Sequence, residues 1–210
     1  MLRGYTPAML TADGPVAIVG AGGHGRVVAN TLRAAGIAIH GFYDDDESLV
    51  GGSVDDIPVV GTLATLAEEP PRPAVAGIGD NAARKQVVES LELDWVTAVH
   101  PFSWVDPTAE LGPGTLVCAG AIVQAGARVG SHVILNTKSS VDHDTQVGDY
   151  VHVAMAHLAG GASADEGAFL ALASTVLPGC QHGAWSLVAA GSLVRKYVAP
   201  GATVSGQPAR

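Results

Sequence analysis

The chain has 210 residues, eleven of them basic and twenty acidic, for a formal charge of −9. That length allows two domains, and the acidic balance disfavours nucleic acid and anionic membrane surfaces as partners. The first fifteen residues hold no apolar run of signal-peptide length and no stretch is long enough to span a bilayer. Cys118 and Cys180 read as small residues facing a tight core, with no disulfide framework, so a reducing cytoplasm is the expected location.

Short apolar runs alternate with helical stretches over the first hundred residues. Pro15, Val16, Ala17, Ile18 and Val19 read as a buried strand. The turn Gly20-Ala21-Gly22-Gly23-His24-Gly25 follows, and residues 26–35 carry Val27, Val28 and Leu32 at helical spacing. Residues 37–43 predict a second strand that ends in Asp44, Asp45 and Asp46. Residues 74–78 predict a third, ending at Gly79-Asp80-Asn81, with Asp80 placed to cap a helix over 82–93. Strands alternating with helices predict a small parallel sheet of Rossmann type. Ligands bind such sheets beyond the C-terminal strand ends, which here are Gly20 to Gly25, Asp44 and Asp45, and Gly79 to Asn81.

The turn matches G-x-G-x-x-G, and Asp44 stands where a ribose-binding acid would lie. The same glycines also serve a tight turn with close helix packing and no ligand at all. Because the domain is short, a mononucleotide or nucleotide-sugar fits it better than NAD, which disfavours a dehydrogenase.

From Val105 onward the rhythm changes to six residues. An apolar residue recurs at Val105, Leu111, Val117, Val123, Val129, Leu135, Val141, Val147 and Val153. After a one-residue slip it resumes at Leu158, Ala164, Leu170, Val176, His182, Val188 and Val194. Fifteen of these sixteen positions are apolar, where the 48% hydrophobic content of the chain would give about eight. Four places after each, except at the slip after Val153, stands a small or β-branched residue, as at Ala121, Ser139, Ala162 and Ser174. An inward aliphatic and a small corner residue in every hexapeptide predict a parallel β-helix, three hexapeptides to each coil of a triangular prism. Residues 1–100 are therefore expected as a Rossmann-like nucleotide-sugar-binding domain and residues 101–210 as a β-helix, with residues 197–210 as the only candidate for its end cap.

Of the eight histidines, His40, His100 and His132 have no partner visible in sequence, and His182 falls on an inward position. His143 lies between two carboxylates in Val141-Asp142-His143-Asp144, a setting that fixes one tautomer and raises basicity, as a general base requires. A solvated surface corner is the plain alternative. The His152 and His157 pair has the H-x4-H spacing of the zinc ligands in γ-class carbonic anhydrases. The place of that family's third ligand holds Leu116 and Val117, so no metal is expected.

Taken together, Val19-Gly20-Ala21-Gly22-Gly23-His24-Gly25, Phe42-Tyr43-Asp44-Asp45, Ile78-Gly79-Asp80-Asn81, Leu135-Asn136-Thr137, Ser140-Val141-Asp142-His143-Asp144, Val151-His152-Val153, Leu158-Ala159-Gly160-Gly161, Val176-Leu177-Pro178-Gly179 and the closing Gly206-Gln207-Pro208-Ala209 resemble the bacterial sugar acetyltransferases of the NeuD and PglD type. That resemblance implies a left-handed β-helix, a homotrimer with the acyl donor in a groove between neighbouring prisms, and direct transfer of acetyl from acetyl-CoA to a nucleotide-linked amino sugar for surface glycans. It implies His143 as general base and Asp144 as the acid that raises its basicity. It implies His152, Gly160, Ala171, Ala173 and Gly191 as contacts of acetyl-CoA, and Gly22, Gly23, His24, Asp44, Asp45 and Gly79 as contacts of the nucleotide-sugar.

N-acetylation of a 4-amino sugar is the first expectation. O-acetylation of a sialic-acid-like sugar, or a non-catalytic sugar-nucleotide binding protein, are the alternatives. The chain departs from the family between His152 and Leu158, one residue short, and at Ala164-Asp165-Glu166. The shortened stretch leads to the expectation that His157 is turned towards the acyl donor.

Overall fold

A computed structural model describes residues 14–210, so the reading of the first thirteen residues lies outside it. Strand β1 (Val16–Val19) is buried at all four positions because both faces of the sheet are covered. Val16 and Ile18 pack with Val28 and Leu32, while Ala17 and Val19 pack with Leu66 and Leu91. Helix α1 (Gly23–Ala34) begins inside the glycine turn. A Cβ at Gly25 would lie 2.0 Å from the Gly20 carbonyl oxygen, so the close approach of helix to turn admits only hydrogen there.

Strand β2 (Ile39–Tyr43) is followed by β3 (Ser53–Val54), β4 (Ile57–Gly61), helix α2 (Leu63–Glu68), β5 (Pro73–Ala76), helix α3 (Asn81–Glu89) and β6 (Asp94–Trp95). The sheet order is β3-β4-β2-β1-β5-β6. Three strands were legible in sequence; the sheet has six, and the expected parallel sheet carries one antiparallel pair, β3 against β4. That hairpin turns on Asp55 and Asp56, both in the left-handed region at φ 48° and 63°. Asp80 caps α3 as expected, its carboxylate accepting from the Ala83 amide at 2.8 Å. The helix stops at Glu89, earlier than the sequence suggested, where the Ser90 hydroxyl bonds the Val87 carbonyl at 2.8 Å.

The second half is a prism of three parallel sheets of seven, six and five strands. The first face runs through Ala98–Val99, Leu116–Val117, Ile134–Leu135, His152–Val153, Phe169–Leu170, Leu187–Val188 and Thr203–Val204. The second carries Trp104–Val105, Ile122–Val123, Ser140–Val141, His157–Leu158, Thr175–Val176 and Leu193–Val194. The third carries Glu110–Leu111, Arg128–Val129, Gln146–Val147, Ser163–Ala164 and Gln181–His182. The second residue of each strand points inward and forms the core. The prism begins with Ala98–Val99, which already pairs with Leu116–Val117.

The slip falls at the edge between the first and second faces. Ala154 and Met155 make that turn, Met155 at φ 47°, and pairing resumes with Ser140 opposite His157. His182 is fully buried in the core above Ala164, the smallest inward side chain, and its Nδ1 meets the Ser186 hydroxyl at 2.5 Å. Residues 197–210 do close the prism: Val198 bridges to His182, Thr203–Val204 extends the first face, and Val198, Val204 and Ala209 pack on the end of the core.

The N-terminal domain sits on the first face. Ala98, Leu116, Ile134 and Cys118 share one apolar cluster with Val16, Ile18 and Val28. Cys118 therefore faces this domain junction, a correction to its expected place inside the prism. Both cysteines are free thiols, and burial pushes that of Cys118 up to about 12.

Candidate active site

His143 and Asp144 form the turn at the edge between the second and third faces. Asp144 takes the left-handed conformation at φ 58°, which turns its carboxylate back to its neighbour, and His143 Nδ1 lies 2.9 Å from Asp144 Oδ2. A carboxylate only accepts, so the proton of the neutral ring sits on Nδ1 and Nε2 carries the free lone pair. The bond from Asp144, then the charge of Asp142, raise the affinity of the imidazole for a proton above its ordinary value. The side chain is 62% exposed. One coil on, the ring lies over Gly160: a Cβ there would fall 2.5 Å from His143 Nε2. The expected base is thus paired with its acid, open to solvent, and backed by a residue with no side chain.

A second cluster lies where the N-terminal strand ends meet the first face. His24 and His152 approach with ring centroids 6.1 Å apart. Asn136 has its Oδ1 fixed by the Thr137 amide at 2.8 Å, so its Nδ2 donates to His152 Nε2 at 3.0 Å. His152 Nδ1 then donates to the Gly79 carbonyl at 3.2 Å, which fixes a neutral ring. Burial first, and next the charge of Arg84, lower both His24 and His152 to about 4. A cavity of about 240 Å³ opens beside them, lined by Gly79, Asp80, Asn81, His152 and Phe169 among others.

Other predicted residues are placed differently. Asp44 and Asp45 have backbone duties: Asp44 Oδ2 accepts from the Ala21 amide at 2.7 Å, and Asp45 Oδ1 from the Leu63 amide at 3.0 Å. Gly22 and Gly23 are exposed, with open space where a Cβ would stand. The residues expected around acetyl-CoA do not converge within one chain. His152 is on the first face, His157 on the second, Ala171, Ala173 and Gly191 along the edge between those faces, and Gly160 on the next edge.

Sequence reasoning passed over Arg84 and left Asn136 without a role. Arg84 reads as an ordinary helix cation, and its partners on the prism are 48 and 66 residues away at His132 and Tyr150. Asn136 carried a signal, standing in one of the stretches that resemble the family.

Residues 15–91 match the family described as the PglD N-terminal domain. Among solved structures, PerB from Caulobacter crescentus in complex with CoA and GDP-perosamine is 35% identical, with 95% of this chain and 97% of that one covered at a TM-score of 0.88. Variants of that enzyme with one histidine replaced by asparagine or alanine have been solved with the same two ligands. The acetyltransferase domain of PglB from Neisseria gonorrhoeae, in complex with acetyl coenzyme A, is 34% identical over 94% of this chain and 99% of its own, at a TM-score of 0.88. A UDP-N-acetylbacillosamine N-acetyltransferase of Bacillus subtilis is 39% identical over 112 residues, 50% of this chain and 51% of that one. The chain thus spans about half the length of that relative, and 24% of a mimivirus protein it also matches. The overlap with PerB, nearly end to end in both chains, places this chain in the PglD-type family of sugar acetyltransferases.

Proposed function

We propose that the chain is an acetyl-CoA-dependent N-acetyltransferase acting on a nucleotide-linked 4-amino sugar. The observation that carries this is the His143–Asp144 pair, 2.9 Å apart and open to solvent over Gly160, in a chain of this family. A sugar amine attacking the thioester carbonyl loses a proton, and Nε2 of His143 is the lone pair placed to take it while Nδ1 stays bonded to Asp144. The coenzyme leaves as its thiol, with no acyl-enzyme. Charge gathering on the thioester oxygen needs a donor. Gly161 gives its amide to the His143 carbonyl at 2.9 Å, which leaves the Gly160 amide as the candidate.

The nucleotide-sugar reading rests on His24, Gly22, Gly23 and Gly79 around the strand ends, with Asp44 and Asp45 shaping the turn behind them. That cluster lies against the first face, and His143 lies on the opposite edge of the same prism. One chain therefore cannot complete the site. We assign the missing half to a neighbouring copy in a homotrimer, with acetyl-CoA between prisms. The exposed Phe102, Ile122 and Leu172, on the second face and its edge with the first, supply apolar surface for that contact. No helix among the described residues is long and apolar enough to cross a membrane. The cytoplasm is the assigned location because acetyl-CoA is available there.

The test is thiol release from acetyl-CoA against UDP-, GDP- and dTDP-linked 4-amino sugars, with His143→Ala in parallel. Turnover with one of them, reduced roughly 10²- to 10⁴-fold in the variant, is expected. Turnover of the variant within threefold of wild type would remove His143 as the base, and silence across the panel would overturn the acceptor class.

A further inference from the structure

Arg84 is 1% exposed, and among the described residues no carboxylate pairs with it. Its donors all go to neutral oxygens on both sides of the domain junction. Nε reaches the His132 carbonyl at 2.9 Å and Nη2 the Tyr150 carbonyl at 2.7 Å, both on the prism. Nη1 reaches the carbonyls of Ile78 at 3.0 Å and Gly79 at 3.3 Å, and Nη2 also reaches Asn81 Oδ1 at 2.9 Å. A buried cation without an anion is costly unless its whole fork is bonded, and here the fork binds two domains together.

The consequence is at the strand end after β5. In a trans peptide the N–H points opposite to the C=O. Turning the Ile78 and Gly79 carbonyls onto Arg84 therefore turns the Gly79 and Asp80 amides away from it. Neither amide donates to another residue among those described, and both residues line the 240 Å³ cavity.

We propose that Arg84 is a positioning residue for the acceptor: it sets two peptide planes so that the Gly79 and Asp80 N–H groups meet oxygen atoms of the nucleotide-sugar. This rests on the placement of the acceptor at the N-terminal strand ends. Arg84 touches no reacting atom; it acts through the backbone it holds. A lysine cannot replace it, because one ammonium does not span the prism carbonyls and the strand end together.

The test compares wild type, Arg84→Lys and Lys85→Ala by acceptor KM, acetyl-CoA KM and amide hydrogen exchange over residues 77–83. Lys85 makes another of this helix's links to the prism, at Glu166, besides the Asn81 amide at the Gly167 and Ala168 carbonyls. Arg84→Lys should raise acceptor KM about 10-fold, in line with one charge-assisted hydrogen-bonding site lost, with acetyl-CoA KM within twofold and faster exchange at residues 77 and 83, whose amides bond the Val19 carbonyl and the Asp80 carboxylate on either side of the two peptide planes. Lys85→Ala should change none of these. Unchanged exchange in Arg84→Lys overturns the proposal, as does the same KM rise in Lys85→Ala, which would make Arg84 a plain domain staple. Faster exchange with acceptor KM unmoved overturns it too, and locates the error in the placement of the acceptor.

Asp80→Pro gives a second test that leaves Arg84 intact. The φ of Asp80 is −71°, which suits proline, and the substitution deletes one of the two amides. Measured against Asp80→Ala, which loses only the helix cap, acceptor KM should rise about 10-fold; equal values overturn the proposal.

Discussion

Gly160→Ala tests the base without removing it. The new methyl would lie 2.5 Å from His143 Nε2 and 2.6 Å from Cε1. Non-bonded carbon and nitrogen rest at about 3.5 Å, so the ring has to retreat by roughly 1 Å. It is free to do so, because its side chain is 62% exposed. Gly160 is outside the left-handed region, so alanine brings no backbone strain. The cost therefore falls on geometry at the reacting proton. A displacement near 1 Å is worth on the order of 100-fold in rate, or about 2.7 kcal/mol of barrier. Thiol release from acetyl-CoA should show kcat down by about that factor with an unchanged melting temperature. Gly161→Ala is the contrasting variant. Its φ is +64° with nothing within 4 Å of the added carbon, so it should lose about 1 kcal/mol of stability while keeping its turnover. A Gly160→Ala enzyme within threefold of wild-type kcat would refute the reasoning, since it would mean that the position of Nε2 over residue 160 does not matter to the reaction.

Asp144→Asn should move the acid limb of kcat against pH. The wild-type limb is expected above the ordinary imidazole value because Asp144 favours the protonated ring, and the rate needs the neutral one, so the limb should move to lower pH when the charge is removed. The plateau should also fall about 100-fold or more, because an asparagine amide can hold Nδ1 as an acceptor and leave Nε2 protonated; a limb that stays in place or rises contradicts the assignment. Acid should also destabilise the fold. His24, His132 and His152 are each held to about 4 by burial, then by Arg84. The unfolded chain binds the extra protons, so stability is complete above about pH 6.5 and is lost as pH falls towards 4, by about 2 kcal/mol for each histidine at pH 5. Urea midpoints equal at pH 7 and pH 5 would show that these rings do not titrate with folding.

What the sequence disclosed follows from how far apart the interacting residues lie. The prism was legible because its signal is local and repeated: each inward residue meets its own counterpart one coil away, as Val117 pairs with Leu135. The long buried runs of β1, β2 and β5 were legible for a similar reason. Strands β3 and β6, of two residues each, carry too little pattern to register, and the turn at Asp55 and Asp56 has no glycine to announce its left-handed backbone. Asp44 and Asp45 look like ligand-binding acids, and their further bonds to the Ala21 and Leu63 amides were not legible because those partners stand 23 and 18 residues away.

The small residues expected along acetyl-CoA are spread over two edges, because every corner of so narrow a prism requires them whether or not a ligand lies there. The His143–Asp144 pair could be read because its members are adjacent. Arg84 could not, because its partners on the prism stand 48 and 66 residues away and nothing in the local sequence distinguishes it from a solvated cation. One relation was available to arithmetic alone. His143 and His152 are nine residues apart in a repeat whose neighbouring coils pair eighteen apart, as Leu116 does with Ile134. Half a coil is half a turn, so His143 and the strand-end cluster face opposite sides of one prism, which is the ground for assigning the proposed chemistry to two copies of the chain.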